Sequence, residues 1–132
     1  MPEIRRVTSD GAPEPPPERW SNCLVVGGLA YVSGQTGRAA DGEGPLDDYA
    51  QAQKIFAKIK ALIEAAGGAM SDVVKVTIFV TDIRRREQVW RARAEVFSGD
   101  FPASTLVEVS KLADPAVTVE IEAIAHIGAG KR

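Results

Sequence analysis

Between Asp47 and Thr81 the sequence changes its hydrophobic repeat once, and abruptly. Ile55, Phe56, Ile59, Leu62, Ile63 and Ala66 recur at three-and-four spacing, which sets them on one face of a helix. Asp47 or Asp48 is placed to cap it, and Gly67 and Gly68 stop it, so the pattern predicts a helix over 47–66. The run "VVKVTIFVT" follows, β-branched and apolar with only Lys75 interrupting, as in a strand buried on both faces. A one-sided helix feeding such a strand must lay its stripe on a sheet.

The rest of the chain supplies that sheet. "PEPPP" in the opening segment favours extended backbone and withholds amide donors, so residues 1–18 are read as an extended arm with a short edge strand near 4–7. "CLVVGGLAYVSG" reads as a hairpin, with strands over 21–26 and 29–34 joined through Gly27 and Gly28. Asp82 is placed to cap a second helix running to about Ser98, with Val89, Ala92, Val96 and Phe97 as its buried stripe. "STLVEV" and "VTVEIEAIAH" are two further strands. In the last, Val117, Val119, Ile121, Ala123 and Ala125 share one face, opposite Thr118, Glu120, Glu122 and Ile124. The expected class is α+β: one domain over 19–128 with a tail at 129–132, and two helices on one face of a mixed sheet. The uncovered face, part apolar and part acidic, calls for a second copy of the chain.

Composition narrows the function. A chain of 132 residues, 45% hydrophobic, suffices for one core. The segments offer neither a membrane span nor a secretory leader, which predicts a cytoplasmic protein. One cysteine, Cys23, and one histidine, His126, fall short of a disulfide or a zinc set, so no metal is expected. Cys23 reads as a small core side chain, His126 as a surface or interface residue. A net charge of −2 supplies no field for nucleic acid.

Four stretches carry candidate chemistry. Glu120 and Glu122 project to the same side of a strand, roughly 6 to 7 Å apart, so one can serve as an acid or base with a raised pKa. The competing reading is a wet edge, or pairing with Lys75 and arginines. "VSGQTG", with Ser33, Gly34 and Gln35, is a turn whose amides can face an anion, without the signature of a nucleotide loop. Arg84, Arg85 and Arg86 open a helix where positive charge is disfavoured, which points to an acidic partner or a solvated face. Trp20 and Trp90 read as packing residues before stacking platforms.

Taken together, "LAYVSGQTG", "ALIEAAGGAMSDVVKVTIFVTDI", "AEVF", "FPASTLVEV" and "VEIEAIA" resemble the Rid family, also called the YjgF-like or reactive-intermediate-deaminase family. The resemblance spans residues 20–127. It implies a chorismate-mutase-like fold, a homotrimer with small-molecule clefts between subunits, and hydrolysis of enamines and imines without metal or organic cofactor. It also implies that Glu120 positions a water and that Ser33, Gly34 and Gln35 line the cleft. One part is absent: where the family's Pro-Ala-Arg-Ser motif clamps a substrate carboxylate, this chain reads "PAST", with Ser104 in place of the arginine and Thr105 after it. Trp20 falls near the family's cleft tyrosine and Trp90 where a polar asparagine is common. A hydroxyl gives one neutral hydrogen bond where arginine gives a charged pair, so an altered substrate is expected, or a binding module without chemistry. Arg91 and Arg93 are the cations that a neighbouring subunit could offer instead. Chorismate mutase chemistry, suggested by fold alone, lacks the cationic anchors a dianion needs.

Overall fold

Asp47 accepts a hydrogen bond from the Ala50 amide at 2.8 Å, which fixes the start of helix α1 (Asp48–Ala65). The computed structural model describes residues 3–130. The predicted stripe of α1 is buried throughout: Ile55, Phe56, Ile59, Leu62 and Ile63 are essentially inaccessible. They pack on one face of a six-stranded sheet made of β1 (Arg5–Val7), β2 (Cys23–Val26), β3 (Leu29–Thr36), β4 (Val73–Val80), β5 (Ala103–Glu108) and β6 (Val119–His126). The strand order is β1-β2-β3-β6-β4-β5. All neighbours are antiparallel except β4 and β5, which run parallel because helix α2 (Arg86–Val96) carries the chain back between them. Gly27 and Gly28, at φ of 55° and 86°, make the tight turn between β2 and β3. The mixed sheet with two helices on one face is the α+β fold the sequence predicts.

Three local readings need correction. The second helix does not run from Asp82 to Ser98. Asp82 caps a 3₁₀ turn, Ile83–Arg85, and α2 ends at Val96, where the chain must turn out toward β5. Val89 and Ala92 are buried, but Val96 is exposed, and Phe97 joins the core from beyond the helix by packing edge-on against Phe56 at 5.8 Å. Second, β4 is not buried on both faces of the single chain. Val76, Ile78 and Val80 are sealed under the helices, while Lys75, Thr77 and Phe79 are half-buried and Val74 is exposed beside a register shift. Helices cover only one face, so whatever burial the sequence demands of the other must come from outside the chain. Third, Trp20 and Trp90 are not packing residues here: both rings are exposed.

Two arginines of the basic run find acidic partners within the chain, while the exposed Arg86 donates to the Ile83 carbonyl at 3.1 Å. Arg84 makes two side-chain bonds to Asp82 at 2.9 and 2.7 Å, and Arg85 bridges Asp82 and the buried Asp48, each at 3.1 Å. These pairs hold the Asp82 carboxyl far below the usual range.

The loop before α1 is fastened by a buried amide. Gln51 donates to the carbonyls of Leu46 at 3.0 Å and Ala116 at 3.2 Å and accepts from the Thr118 amide at 3.0 Å, while Asp48 accepts from the Thr118 hydroxyl at 2.6 Å. Gly37 is required beside it, since a Cβ there would lie 2.3 Å from the Gln51 carbonyl. The network joins the loop, α1 and the entry to β6, directly before Glu120. Gln51→Leu leaves three part-buried backbone groups without their partner and puts nothing polar in its place. It should therefore lower the unfolding free energy by about 2–4 kcal/mol in urea titrations at matched protein concentration; a loss below about 0.5 kcal/mol would mean that water replaces the amide at no cost.

Candidate active site

Strand β6 pairs Glu120 with Phe79 of β4 on one side and Thr36 of β3 on the other, and its neighbour Ile121 points into the core. The alternation therefore sets Glu120 and Glu122 on the uncovered face, as predicted. Between Val32 and Gln35 the β3–β6 register shifts, and the irregularity turns Gly34 toward the glutamate. A Cβ at Gly34 would lie 2.2 Å from Glu120 Oε2. Only glycine leaves room for the carboxylate to rest on the backbone there.

Glu120 is half-buried and, among the described residues, neither of its oxygens is held by a hydrogen bond or ion pair. Burial, with a smaller push from the Glu122 charge, raises its pKa above the ordinary carboxylate value. The predicted pairing with Lys75 or an arginine does not form. Lys75 instead donates to the Thr105 hydroxyl at 2.9 Å.

Beside Gly34 lies a polar cluster that sequence reasoning found only in part. The Gln35 amide donates to the Ser33 carbonyl at 3.2 Å and to Asn22 Oδ1 at 3.4 Å; the Ser33 hydroxyl donates to the Asn22 carbonyl at 3.3 Å. The Trp20 indole N–H donates to the same Asn22 Oδ1 at 3.3 Å. Asn22, itself donating to the carbonyls of Ala12 and Pro13, is thus the organiser that ties Trp20, Ser33 and Gln35 together. Its only sequence signal is a polar residue at the mouth of an apolar strand.

Ser104 and Thr105 do not share a pocket. They alternate along β5: Thr105 lies beside Thr77 on the uncovered face, whereas Ser104 lies beside the buried Val76 on the helix side. There the Ser104 hydroxyl accepts from Arg93 Nη1 of α2 at 3.0 Å. The same guanidinium lies 5.9 Å from the Trp90 ring, with that of Arg86 at 5.5 Å. Arg91 goes elsewhere, stacking 3.6 Å over Tyr49. The candidate residues therefore form three groups. Gly34 and Glu120 meet on the uncovered face, Trp20, Ser33 and the buried Gln35 are tied together through Asn22, with Gln35 paired to Ile121 on the helix side, and Trp90 and Ser104 gather with Arg93 at the α2–β5 edge. Glu120 and Ser104 of one chain point to opposite faces of the sheet. Two concavities among the described residues, one near Met70, Phe97 and Pro102 and one between α1 and α2, are lined by none of these residues.

The remaining candidates are placed as the sequence suggests. Cys23 is fully buried in the core, where burial pushes its thiol pKa up, and His126 is exposed at the end of β6. No helix among the described residues is long and apolar enough to cross a membrane, and no cluster of ligating side chains there suits a metal.

A mixed six-stranded sheet under two helices, with a partly desolvated glutamate on its open face, defines a small α+β domain. The chain belongs to the Rid family, matching the model described as Endoribonuclease L-PSP over residues 11–127. It is 36% identical to a 2-iminobutanoate/2-iminopropanoate deaminase of Dermatophagoides farinae over 93% of this chain and 97% of that protein. Among solved structures, it superposes on a protein of unknown function from Pseudomonas aeruginosa with a TM-score of 0.92 and 42% identity, covering 98% of this chain and 96% of the other. A Rid-family protein from Yersinia pestis superposes with a TM-score of 0.85 and 32% identity, over 95% of this chain and 100% of that one.

The raised pKa of Glu120 is open to direct measurement. Because the folded-state value exceeds that of the unfolded chain, ionising Glu120 costs stability, and the cost appears as pH rises from the unfolded pKa through the folded one. In a carboxyl-carbon NMR titration Glu120 should titrate above an ordinary glutamate, and Glu122→Gln should bring its midpoint down. An unmoved midpoint would leave burial as the sole cause.

Proposed function

We propose that the chain assembles as a homotrimer whose inter-subunit clefts bind a small metabolite and hydrolyse its imine or enamine group. The observation that carries this reading is the Glu120 carboxylate, half-buried against Gly34, raised in pKa and without a hydrogen-bond partner among the described residues. A carboxylate in that state is a stronger base than one in water and has lone pairs free to take a water. It orients the water and accepts its proton while the oxygen attacks the imine carbon and the C=N π pair moves to nitrogen. The proton is then returned to nitrogen, giving a carbinolamine; the carboxylate next passes the carbinolamine's hydroxyl proton to nitrogen while the oxygen's electron pair closes the C=O bond, the C–N bond breaks with its pair going to nitrogen, and ammonia leaves behind a carbonyl product. The backbone at Gly34, against which the carboxylate rests, supplies the wall beside that water.

The same geometry favours an assembly over a single chain. Glu120 and Ser104 lie on opposite faces within one chain, so a cleft holding both needs the open face of one copy beside the β5 edge of the next. The deaminase name of the Dermatophagoides farinae relative supports the reaction class. The departure at Ser104 argues for a substrate other than the smallest 2-imino acids, since the strand offers a hydroxyl where the family's motif has an arginine.

The test generates imines in situ from a panel of amino acids with an amino-acid oxidase and follows ammonia release. The wild-type chain should accelerate release for at least one member. Glu120→Gln should reduce that acceleration by roughly a hundredfold or more while leaving ligand-induced thermal stabilisation intact. Turnover retained in Glu120→Gln would remove Glu120 from the mechanism; stabilisation by ligands with no turnover of any imine would make the cleft a binding module.

A further inference from the structure

Arg93 is a cation with no anion. No ion pair of the described residues includes it, whereas Arg84 and Arg85 of the preceding 3₁₀ turn pair with Asp82 and Asp48; on α2 itself Arg86 donates to the Ile83 carbonyl and Arg91 stacks on Tyr49. Its Nε is buried and meets no acceptor, Nη1 is held by the Ser104 hydroxyl at 3.0 Å, and the guanidinium is partly desolvated. A neutral hydroxyl fixes the direction of a guanidinium without neutralising it. Among the described residues, no protein carboxylate stabilises the desolvated charge. The exposed Trp90 ring beside it lies three residues earlier on α2, hence on the same helical face.

We infer that Arg93, oriented by Ser104 and flanked by the Trp90 indole, is a carboxylate-binding subsite for small organic acids with a planar apolar body. The cation that β5 lacks is supplied instead from α2, and Ser104 is its positioning residue. The strand hydroxyl leaves the space that Arg93 reaches across. A carboxylate at the free edge of the guanidinium takes charged hydrogen bonds, and a planar body attached to it lies on the indole face. This deepens the proposed reading and rests on it in one respect: the α2–β5 edge must wall the cleft. The ligand class that follows is an aryl-bearing or otherwise planar carboxylate.

Benzoate, benzamide and acetate are the probes, titrated against the intact protein by NMR. The indole N–H signals of the two tryptophans are told apart with Trp20→Phe. Benzoate should shift the Trp90 signal and bind roughly tenfold or more tightly than benzamide, which keeps the ring but loses the charge. Acetate should bind more weakly than benzoate for want of a ring. Arg93→Met should remove the preference for benzoate over benzamide, and Ser104→Ala should weaken benzoate binding less than Arg93→Met does. The double variant Arg93→Ser, Ser104→Arg, which returns the cation to the strand, should recover the preference even if Arg93→Met alone folds poorly. Equal binding of benzoate and benzamide, or a preference that survives Arg93→Met, would overturn the inference. Because these are binding measurements, they separate the two readings: Arg93-dependent benzoate binding without imine turnover would sink the hydrolysis reading alone. Glu120-dependent turnover with benzoate indifferent to Arg93 would sink this one alone.

Discussion

Two helices can cover only one face of a six-stranded sheet, and most of what is distinctive in this molecule follows from that. Under the helices, Val76, Ile78, Val80, Val119 and Ile121 are sealed against the stripe of α1 and make an ordinary core. On the other face the same strands present Lys75, Thr77, Phe79, Glu120, Glu122 and Ile124, an array neither polar enough to be a finished surface nor apolar enough to be a core. Glu120 sits at this boundary, where a carboxylate is desolvated without being sealed off from solvent. Glu120 is raised in pKa for that reason first, and through Glu122 only second.

The two glycines near the site act through shape rather than flexibility. Gly34 lets the Glu120 carboxylate rest against backbone, and Gly37, three residues on, lets β3 pass against the carbonyl of Gln51. Gln51 in turn holds the chain entering β6, so the position of Glu120 is set from both neighbours: through the β3 irregularity on one side and through the amide network at Thr118 on the other. A base held this way loses little entropy when a substrate arrives, because the ordering was done on folding.

How much of this was legible in the sequence divides along physical lines. Periodicity reports burial, and burial is what fixed α1, β6 and the face on which Glu120 lies. The same logic overreaches at β4, whose apolar run reads as a strand buried on both faces, whereas in the single chain only the helix-facing side is sealed. It also overreached at α2, where Val96 continued the helical spacing but the path to β5 ended the helix, leaving Phe97 to fill the core from outside. Adjacent hydroxyls in "PAST" looked like a pair because they touch in sequence, yet a strand's alternation sends Ser104 and Thr105 to opposite sides. Asn22 and Arg93 were hardest to read, since their roles arise from partners 10 or more residues away, Ala12 and Ser104 among them, which no local pattern records.

The arginine lost from the strand and the arginine unpaired on the helix are best understood together. A charged side chain in a partly dry cleft is costly unless something answers its charge, and a chain retaining one without an internal partner keeps an unfavourable term that a simple Arg93→Met change would remove. Arg84 and Arg85 show that carboxylates were at hand on the same helix entrance to neutralise such a group. Arg93 has instead a hydroxyl, which aims it and leaves its charge intact. In the inferred subsite the cation stands on the helix and not on the strand, with the ring of Trp90 5.9 Å from it. A cleft altered in this way would keep its demand for an acid group while changing the shape of the molecule that must bring it.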